Sequence, residues 1–359
     1  MTFSTLRQKT LFKLYFPDIR RIEKDPLLTV FFTESINSFR QLEDKEVKNW
    51  IITFSGGKDS TLTSILAIEY LKRFAPDVHI DVVYSDTLIE IPPVRDVALH
   101  TLEQIENIAK KEGLNVETHH LAPEMKDRFW VNMLGKGYPP PRPRFRWCTH
   151  RLKINPTLPL IQKREPAIIL TGVRYGESSK RTGQLRASCS RDSECGQSFW
   201  FIKGPKRRGN IYYAAPIINW KTCRVWDFLG IYAIELGWDT SKLLELYCVE
   251  EIRFGCWMCT LVKEDKAMKA LIEHNNDYDY LEKLMEFRNF IDRESRREEN
   301  RLLRTDGRLG GLTLKFRKHL YRKLLYLQDD INLRLIEASE REYIQNVWGD
   351  YDESKGSIT

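Results

Sequence analysis

The sequence has no long hydrophobic run. No apolar stretch approaches the roughly 20 residues that a helix needs to cross a bilayer, so a helical membrane span is not expected. The N-terminus mixes charged residues with Phe12, Leu14 and Phe16. It lacks the apolar core and the small-residue cleavage site of a secretory signal, and a cytoplasmic location is expected. There is no internal repeat and no low-complexity tract. The Walker A pattern G-x-x-x-x-G-K-[ST] is missing, which excludes that way of holding phosphates. No cysteine follows Cys259.

A chain of 359 residues allows one large domain or two smaller ones. Seven cysteines in a reducing compartment point to metal binding or redox chemistry before disulfides. The net charge of +7 permits a nucleic-acid partner without demanding one. A solvated surface with a slight excess of lysine and arginine accounts for it equally well.

Strand-like runs recur at 50–54, 78–84, 115–121 and 167–171, with helical patterns between the first three. Strands alternating with helices predict an α/β fold, a doubly wound parallel sheet with helices on both faces. Residues 1–48 are expected to form a helical N-terminal extension, 49–263 a nucleotide domain that also carries the cysteines, and 264–359 a charged helical C-terminal region broken near Asp306 to Gly311. Residues 135–147, rich in Pro, Gly and Arg, cannot form a regular helix and are expected to be a mobile basic loop leading into Cys148. Residues 186–210 are expected to be irregular, and 222–236 helical.

The decamer Ile51-Ile52-Thr53-Phe54-Ser55-Gly56-Gly57-Lys58-Asp59-Ser60 joins a β-rich run to an amphipathic one, with Leu62, Ile65, Leu66, Ile68 and Leu71 at near-helical spacing. This predicts strand, phosphate loop, helix. Glycines let the backbone approach a ligand, and the N–H groups of a new helix attract anions. Lys58 adds a point charge, and Ser55 and Ser60 add hydroxyl donors. In a doubly wound sheet ligands bind at the carboxyl ends of strands. Asp86 and Thr87, closing the second strand-like run, are candidates for nucleotide or metal contact, or for a simple helix cap. Gly172 and Arg174 close the fourth run, and Arg181 follows seven residues after Arg174. On a helix that spacing places both arginines on one face, suited to anchoring phosphates or to an ordinary charged helix start.

Cys256 and Cys259 form a C-x-x-C, Cys248 lies eight residues before it, and Cys148 lies far upstream. Four thiolates so arranged suit a [4Fe–4S] cluster or a four-cysteine zinc site; a structural or reactive cysteine pair is the alternative.

The loop resembles the S-G-G-x-D-S "PP-loop" of the ATP pyrophosphatase (adenine nucleotide α-hydrolase) superfamily. Together with T-G-x-R-x-x-E-S-x-x-R over Thr171–Arg181, and with Pro216 to Trp220 followed by Val225-Trp226-Asp227, it is similar to the phosphoadenylyl-sulfate (PAPS) reductase-like branch. Trp220 and Trp226 are themselves expected to be packing residues. The run Arg253 to Met268 resembles the "R-F-G-C-W-x-C-T-x-V-x-x-D-K-x-M" segment of the DNA phosphorothioation sulfurtransferases (DndC/SspD type) of bacterial sulfur-modification defence systems. Trp147 to Ile154 and Gly307 to Leu312 resemble the same family. The resemblance covers roughly residues 49–345, and the chain length is nearer to the SspD-like form. One departure is that Cys248-Val249-Glu250-Glu251-Ile252-Arg253 has one more residue than the family's "S-C-G-x-x-R-F-G-C" run and no glycine. Cys189, Cys195 and Cys223 are the reserve ligands; Cys189 and Cys195 are otherwise a sulfur relay or surface thiols.

The resemblance implies ATP and Mg2+ on Ser55, Gly56, Gly57, Lys58, Asp59, Ser60, Asp86, Thr87, Gly172, Arg174 and Arg181, with Lys58, Asp59 and Arg174 catalytic. It implies a [4Fe–4S] cluster on Cys148, Cys248, Cys256 and Cys259, adenylation of a DNA phosphate oxygen with loss of pyrophosphate, and displacement of AMP by sulfur. A cysteine desulfurase and other phosphorothioation-system proteins are the implied partners. DNA is expected at Arg142, Arg144 and Arg146 of the basic loop. Arg293, Arg296, Arg297, Arg301, Arg304 and Arg308 are interspersed with Glu294, Glu298 and Glu299, and helical ion pairs on a solvated face explain them at least as well as DNA. A PAPS or adenylyl-sulfate reductase needs a nucleophilic cysteine near its C-terminus, which the lack of cysteine after Cys259 opposes. A tRNA thiolase and a non-catalytic DNA-binding scaffold are the remaining alternatives; the intact Lys58-Asp59-Ser60 opposes the scaffold.

Overall fold

The computed structural model describes residues 25–74, 77–176, 193–196, 199–204, 209–247, 254–349, 351–352 and 357–358. Arg181, Cys189 and Cys248 lie outside the described residues, and of Cys195 only the backbone is described. Two compact units interleave along the chain. The first comprises Met1–Tyr84, Val94–His120 and Leu158–Leu246, and the second Ser85–Pro93, Leu121–Thr157 and Tyr247–Thr359.

In the first unit, helix α1 (Pro26–Glu43) starts at Asp25, whose carboxylate accepts from the N–H groups of Leu27 and Leu28. Such a cap satisfies donors that the first helical turn cannot, worth about 1 kcal/mol. Strand β1 (Asn49–Phe54), helix α2 (Lys58–Phe74), strand β2 (His79–Ser85), helix α3 (Pro92–Glu112) and strand β3 (Val116–Leu121) follow. Helix α4 (Asn155–Lys163) leads into β4 (Ala167–Leu170), the hairpin β5 (Ser193–Gly196) and β6 (Phe199–Lys203), and β7 (Ile211–Ala214). They build one seven-stranded sheet in the order β3-β2-β1-β4-β7-β6-β5. β1 runs parallel to β2 and β4, and β4 parallel to β7. The sheet is mostly parallel and flanked by helices, the α/β class that the alternating pattern predicts.

The core explains why these segments pair. Trp50, Ile51, Ile52 and Phe54 of β1 are buried, as are Leu62, Ile65, Leu66 and Ile68 of α2. Helix α1 belongs to the same core: Phe39 stacks on Trp50 at 5.9 Å, and Ser35 accepts from the Trp220 indole at 2.8 Å. Trp220 is buried, a packing residue. Asp81, fully buried on β2, receives Arg164 at both oxygens (2.8 and 3.0 Å) and His119 at 2.6 Å; Arg164 also reaches Glu117 at 2.7 Å. His79, Asp81 and Glu117 present ligand atoms within 4.8 Å of one another. Arg164 already fills the carboxylates of that group, so it acts as an ion network tying β2 to β3.

Two expectations change in this unit. The segment 186–210, expected to be irregular, contains the β5–β6 hairpin, and β6 pairs antiparallel with β7. The aromatic run Phe199-Trp200-Phe201-Ile202 supplies the β propensity. Residues 222–236 are helical but not uniformly: helix α5 (Thr222–Asp227) passes through a π turn at Phe228–Tyr232. Helix α6 (Ser241–Leu246) closes the unit.

The second unit is helical. It contains helices α7 (Lys266–His274), α8 (Tyr280–Glu294), α9 (Leu314–Asp330) and α10 (Ala338–Gly349) and a small hairpin, β8 (Arg301–Leu303) and β9 (Leu309–Leu312). The hairpin is what interrupts the helical pattern near Asp306 to Gly311. Trp130, Trp257 and Phe287 form an aromatic cluster with centroids 5.8 to 6.4 Å apart, and the Trp130 indole donates to Leu335 O at 2.8 Å. Among the described residues, no helix is long and apolar enough to cross a membrane.

Candidate functional site

The loop Ser55–Gly57 leaves the carboxyl end of β1 and starts α2. Gly56 has φ +72°, and a Cβ there would lie 2.6 Å from the Ala98 Cβ, so both backbone and space require glycine. The Ser60 hydroxyl closes the loop on itself: it donates to Gly57 O at 2.9 Å, accepts from Ser55 N at 3.2 Å and lies 3.2 Å from the Ser55 hydroxyl. The first N–H groups of an α-helix lack intrahelical carbonyls and favour anions. The loop thus combines a helix N-terminus, two hydroxyls and the buried Lys58.

Asp59 is held between two cations. Lys58 Nζ lies 3.3 Å from one carboxylate oxygen, and Arg174 Nε donates to the other at 2.6 Å. Arg174 is only 3% exposed. Its remaining donors reach Trp220 O at 2.9 Å and the Thr222 hydroxyl at 3.3 Å. It lies in an irregular segment after β4, not on a helix, so the expected helical face shared with Arg181 does not begin there. Arg174 acts as the residue that positions Asp59. Gly172 makes this approach possible: a Cβ there would sit 2.8 Å from the main chain of Asp59.

The second unit gathers the described thiols of the cysteine motif. The N–H of Cys259 bonds to Cys256 O at 2.9 Å, forming a turn, and Trp257 N donates to Ile89 O at 3.0 Å. Asp86 and Thr87 lie in this unit. Asp86 accepts from Leu88 N at 2.9 Å, a local turn cap. The Thr87 hydroxyl donates to Glu90 at 2.9 Å and lies 3.4 Å from Cys256 Sγ. Glu90 also faces Lys153 Nζ at 3.5 Å. On the other side Arg288, buried, donates to Cys259 O at 2.9 and 2.7 Å, to Lys263 O at 3.2 Å and to Val262 O.

Burial keeps Cys148 and Cys256 protonated when nothing binds them. Burial, with Glu90 second, pushes Cys256 up to about 12, and burial also raises Cys148, whose charge is opposed by Cys259. Glu90 first, then Cys256, holds Lys153 firmly charged. A positive metal centre is what would let such thiols ionise. Cys148, Cys256 and Cys259 are partly buried and mutually close enough to interact electrostatically, yet their sulfurs do not form a group within 4.8 Å. Three thiols in one unit suit thiolate ligation of a metal centre, whether an iron–sulfur cluster or zinc. Cys223 is exposed in the first unit.

The basic loop is anchored at its shoulders. Leu312 N donates to Gly137 O at 2.7 Å, the Trp147 indole to Pro139 O at 3.0 Å, and the Thr260 hydroxyl to Pro141 O at 2.5 Å. Pro140 and Pro141 are buried, while Arg144 and Arg146 are exposed. The mobile basic loop expected over 135–147 reduces to an exposed basic tip. The C-terminal arginines are mostly paired: Arg293 with Glu294, Arg296 with Asp292, Arg297 with Glu294 and Arg308 with Asp306, at 2.7 to 3.0 Å. Thr222, Glu90 and Arg288 carry structural roles at these sites that no motif singled out. Only Glu90, at the polar end of a strand-like run, left a signal in the sequence.

Uncharacterized protein MJ0066 of Methanocaldococcus jannaschii is 26% identical over 237 residues, 66% of this chain and 41% of that protein. Uncharacterized protein MJ0973 of the same organism is 28% identical over 215 residues, 59% of this chain and 42% of that protein. The chain thus spans about two fifths of the length of these relatives. The crystal structure of phosphoadenylyl-sulfate (PAPS) reductase from Candida auris, a phosphate complex, covers 63% of this chain and 90% of its own, at 15% identity and a TM-score of 0.39. The family model of the phosphoadenosine phosphosulfate reductase domain matches residues 49–262, more than half of the chain and inclusive of both the Ser55–Ser60 loop and the C-x-x-C, and the chain belongs to that family.

Proposed function

We propose that the protein is an ATP pyrophosphatase that transfers sulfur to the DNA backbone, of the DndC/SspD phosphorothioation type. The observation that carries this is the S-G-G-K-D-S loop at the carboxyl end of β1, with Asp59 fixed between Lys58 and Arg174. The β- and γ-phosphates of ATP, with Mg2+, bind the loop. Lys58 offsets their charge, and Asp59 orients Lys58. A non-bridging oxygen of a DNA phosphodiester attacks the α-phosphorus and pyrophosphate leaves. That oxygen is now the bridge to AMP, a far better leaving group. A persulfide from a cysteine desulfurase partner attacks the DNA phosphorus through its terminal sulfur and AMP departs. A second thiol then cleaves the S–S bond, leaving phosphorothioate and a disulfide. The cations of the loop act electrostatically on crowded negative charge, as in other phosphoryl transfers.

A [4Fe–4S] cluster would be held by Cys148, Cys256 and Cys259 with Cys248 as the fourth ligand, and would supply a site that binds or organises sulfur. Thr87 and Arg288 fix the thiol and the carbonyl around it. DNA meets the exposed tip carrying Arg144 and Arg146. Membership of the phosphoadenosine phosphosulfate reductase domain family supports a second option, reduction of a sulfonucleotide. The test is release of pyrophosphate from ATP and Mg2+ by the parent and by Lys58→Ala. Pyrophosphate lost in the variant supports the proposal, and orthophosphate as the product overturns it.

A further inference from the structure

Two arginines of the second unit carry charge that no acid among the described residues answers. Arg301, 8% exposed, opens β8. Its guanidinium donates to Gly310 O from Nε at 2.9 Å and from Nη2, and to Ser295 O from Nη1 at 3.1 Å. All its partners among the described residues are carbonyls, which bind the donors without neutralising the charge.

The fold brings Arg301 to the root of the basic loop. Across the hairpin it pairs with Leu312, whose N–H bonds to Gly137 O. Gly311 packs so closely that a Cβ there would lie 2.9 Å from the same carbonyl. Arg142 follows a few residues on, its main chain locked by reciprocal hydrogen bonds with Phe145 at 3.2 and 2.8 Å. Its Nε and Nη2 are shielded from water and have no hydrogen-bond partner among the described residues. The residue as a whole is only partly buried. The two charges feel each other: burial, and then Arg142, hold Arg301 below the usual guanidinium range.

Unfilled, shielded donors beside a second buried cation disfavour the empty protein. An anion removes both costs, and guanidinium forks match tetrahedral oxyanions in geometry and charge. We propose that Arg142 and Arg301 together bind one phosphate-type oxyanion, supplied by the backbone of a nucleic acid. The site itself stands on the arginines alone; only the source of the anion rests on the proposed action on DNA.

The experiment uses the full chain and inorganic sulfate. Melting is followed as sodium sulfate replaces sodium chloride at constant ionic strength. The parent should be stabilised in a saturable way. Arg142→Gln should need about tenfold more sulfate for half the effect, the loss expected for a charge-assisted contact. Arg142→Lys, which keeps the charge and loses the fork, should fall between. Without sulfate, Arg142→Gln should melt no lower than the parent, because the lost N–H groups make no bonds; a merely structural arginine would lower it. A short duplex is then bound under the same salts. Sulfate should displace it from the parent more than chloride does, and this difference should vanish in Arg142→Gln. An equal sulfate response in parent and Arg142→Gln, or one no larger than with chloride, overturns the site. A sulfate response that depends on Arg142 without competition by the duplex overturns the nucleic acid as the source and leaves a free oxyanion. Neither arm uses ATP turnover, so its outcome is separable from that of the pyrophosphate assay.

Discussion

Replacing Arg174 with Met tests whether this arginine positions Asp59 or clamps phosphate directly. The change removes a charge-assisted bond to Asp59 at 2.6 Å, a bond to Trp220 O at 2.9 Å and two longer contacts to Thr222. It leaves a carboxylate that is mostly shielded from water, with side-chain exposure of 17% and only Lys58 to answer it. Breaking one side of a buried ion pair costs about 3–5 kcal/mol; the residual exposure of Asp59 favours the lower end. The assay is urea unfolding of the full chain, read from the tryptophan fluorescence of the transition that reports Trp50 and Trp220. Arg174→Met, Asp59→Asn and the double variant complete a cycle. A coupling of about 2 kcal/mol is expected, within the range for directly bonded neighbours. Additivity within about 0.5 kcal/mol would refute the positioning role, as would lost pyrophosphate release in an Arg174→Met protein of parental stability, since a direct phosphate clamp leaves the unliganded protein intact.

Gly172→Ala should abolish pyrophosphate release while the far-ultraviolet circular dichroism stays parental, because its Cβ would press on the Asp59 main chain. Parental turnover in this variant contradicts the tight contact. Burial raises the carboxyl of Asp81, but hydrogen bonds from His119, Arg164 and His79 outweigh it and bring it down to about 2. A depressed carboxyl stabilises the fold above its unfolded value near 3.9 and loses that contribution as pH falls toward about 2. Asp81→Asn should therefore remove about 2 kcal/mol of acid-sensitive stability, flattening the fall in melting temperature between roughly pH 4 and pH 2. An unchanged slope there would sink that assignment. Cys256→Ser, prepared anaerobically, should lose the brown colour and iron of the parent, and Arg288→Met should lower retained iron by loosening the turn at Cys259. Zinc without iron in the parent would count against the cluster. Arg144→Ala with Arg146→Ala should weaken duplex binding and reduce its steepness with salt; unchanged affinity would leave DNA delivery to a partner protein.

The sequence by itself determined what depends on neighbours along the chain. Ser55 to Ser60 between an apolar strand and a 3.6-periodic helix is a local pattern, and the loop stands at the end of β1 as that pattern requires. The parallel class followed from strands alternating with helices, and the pairing of Arg296 and Arg297 followed from acids three and four residues away. Tertiary structure alone decided which charges are spent inside the protein. The partners of Arg174 were not legible because its acceptors, Asp59, Trp220 and Thr222, lie 46 to 115 residues away in sequence. No motif singled out Arg288, which packing sets against Cys259 O, and Arg301 was indistinguishable from its paired neighbours. Residue type and spacing fix the charge and the helical face. The number of carbonyls and carboxylates that meet a guanidinium depends on contacts across the fold, and that number separates a structural arginine from one left to bind an anion.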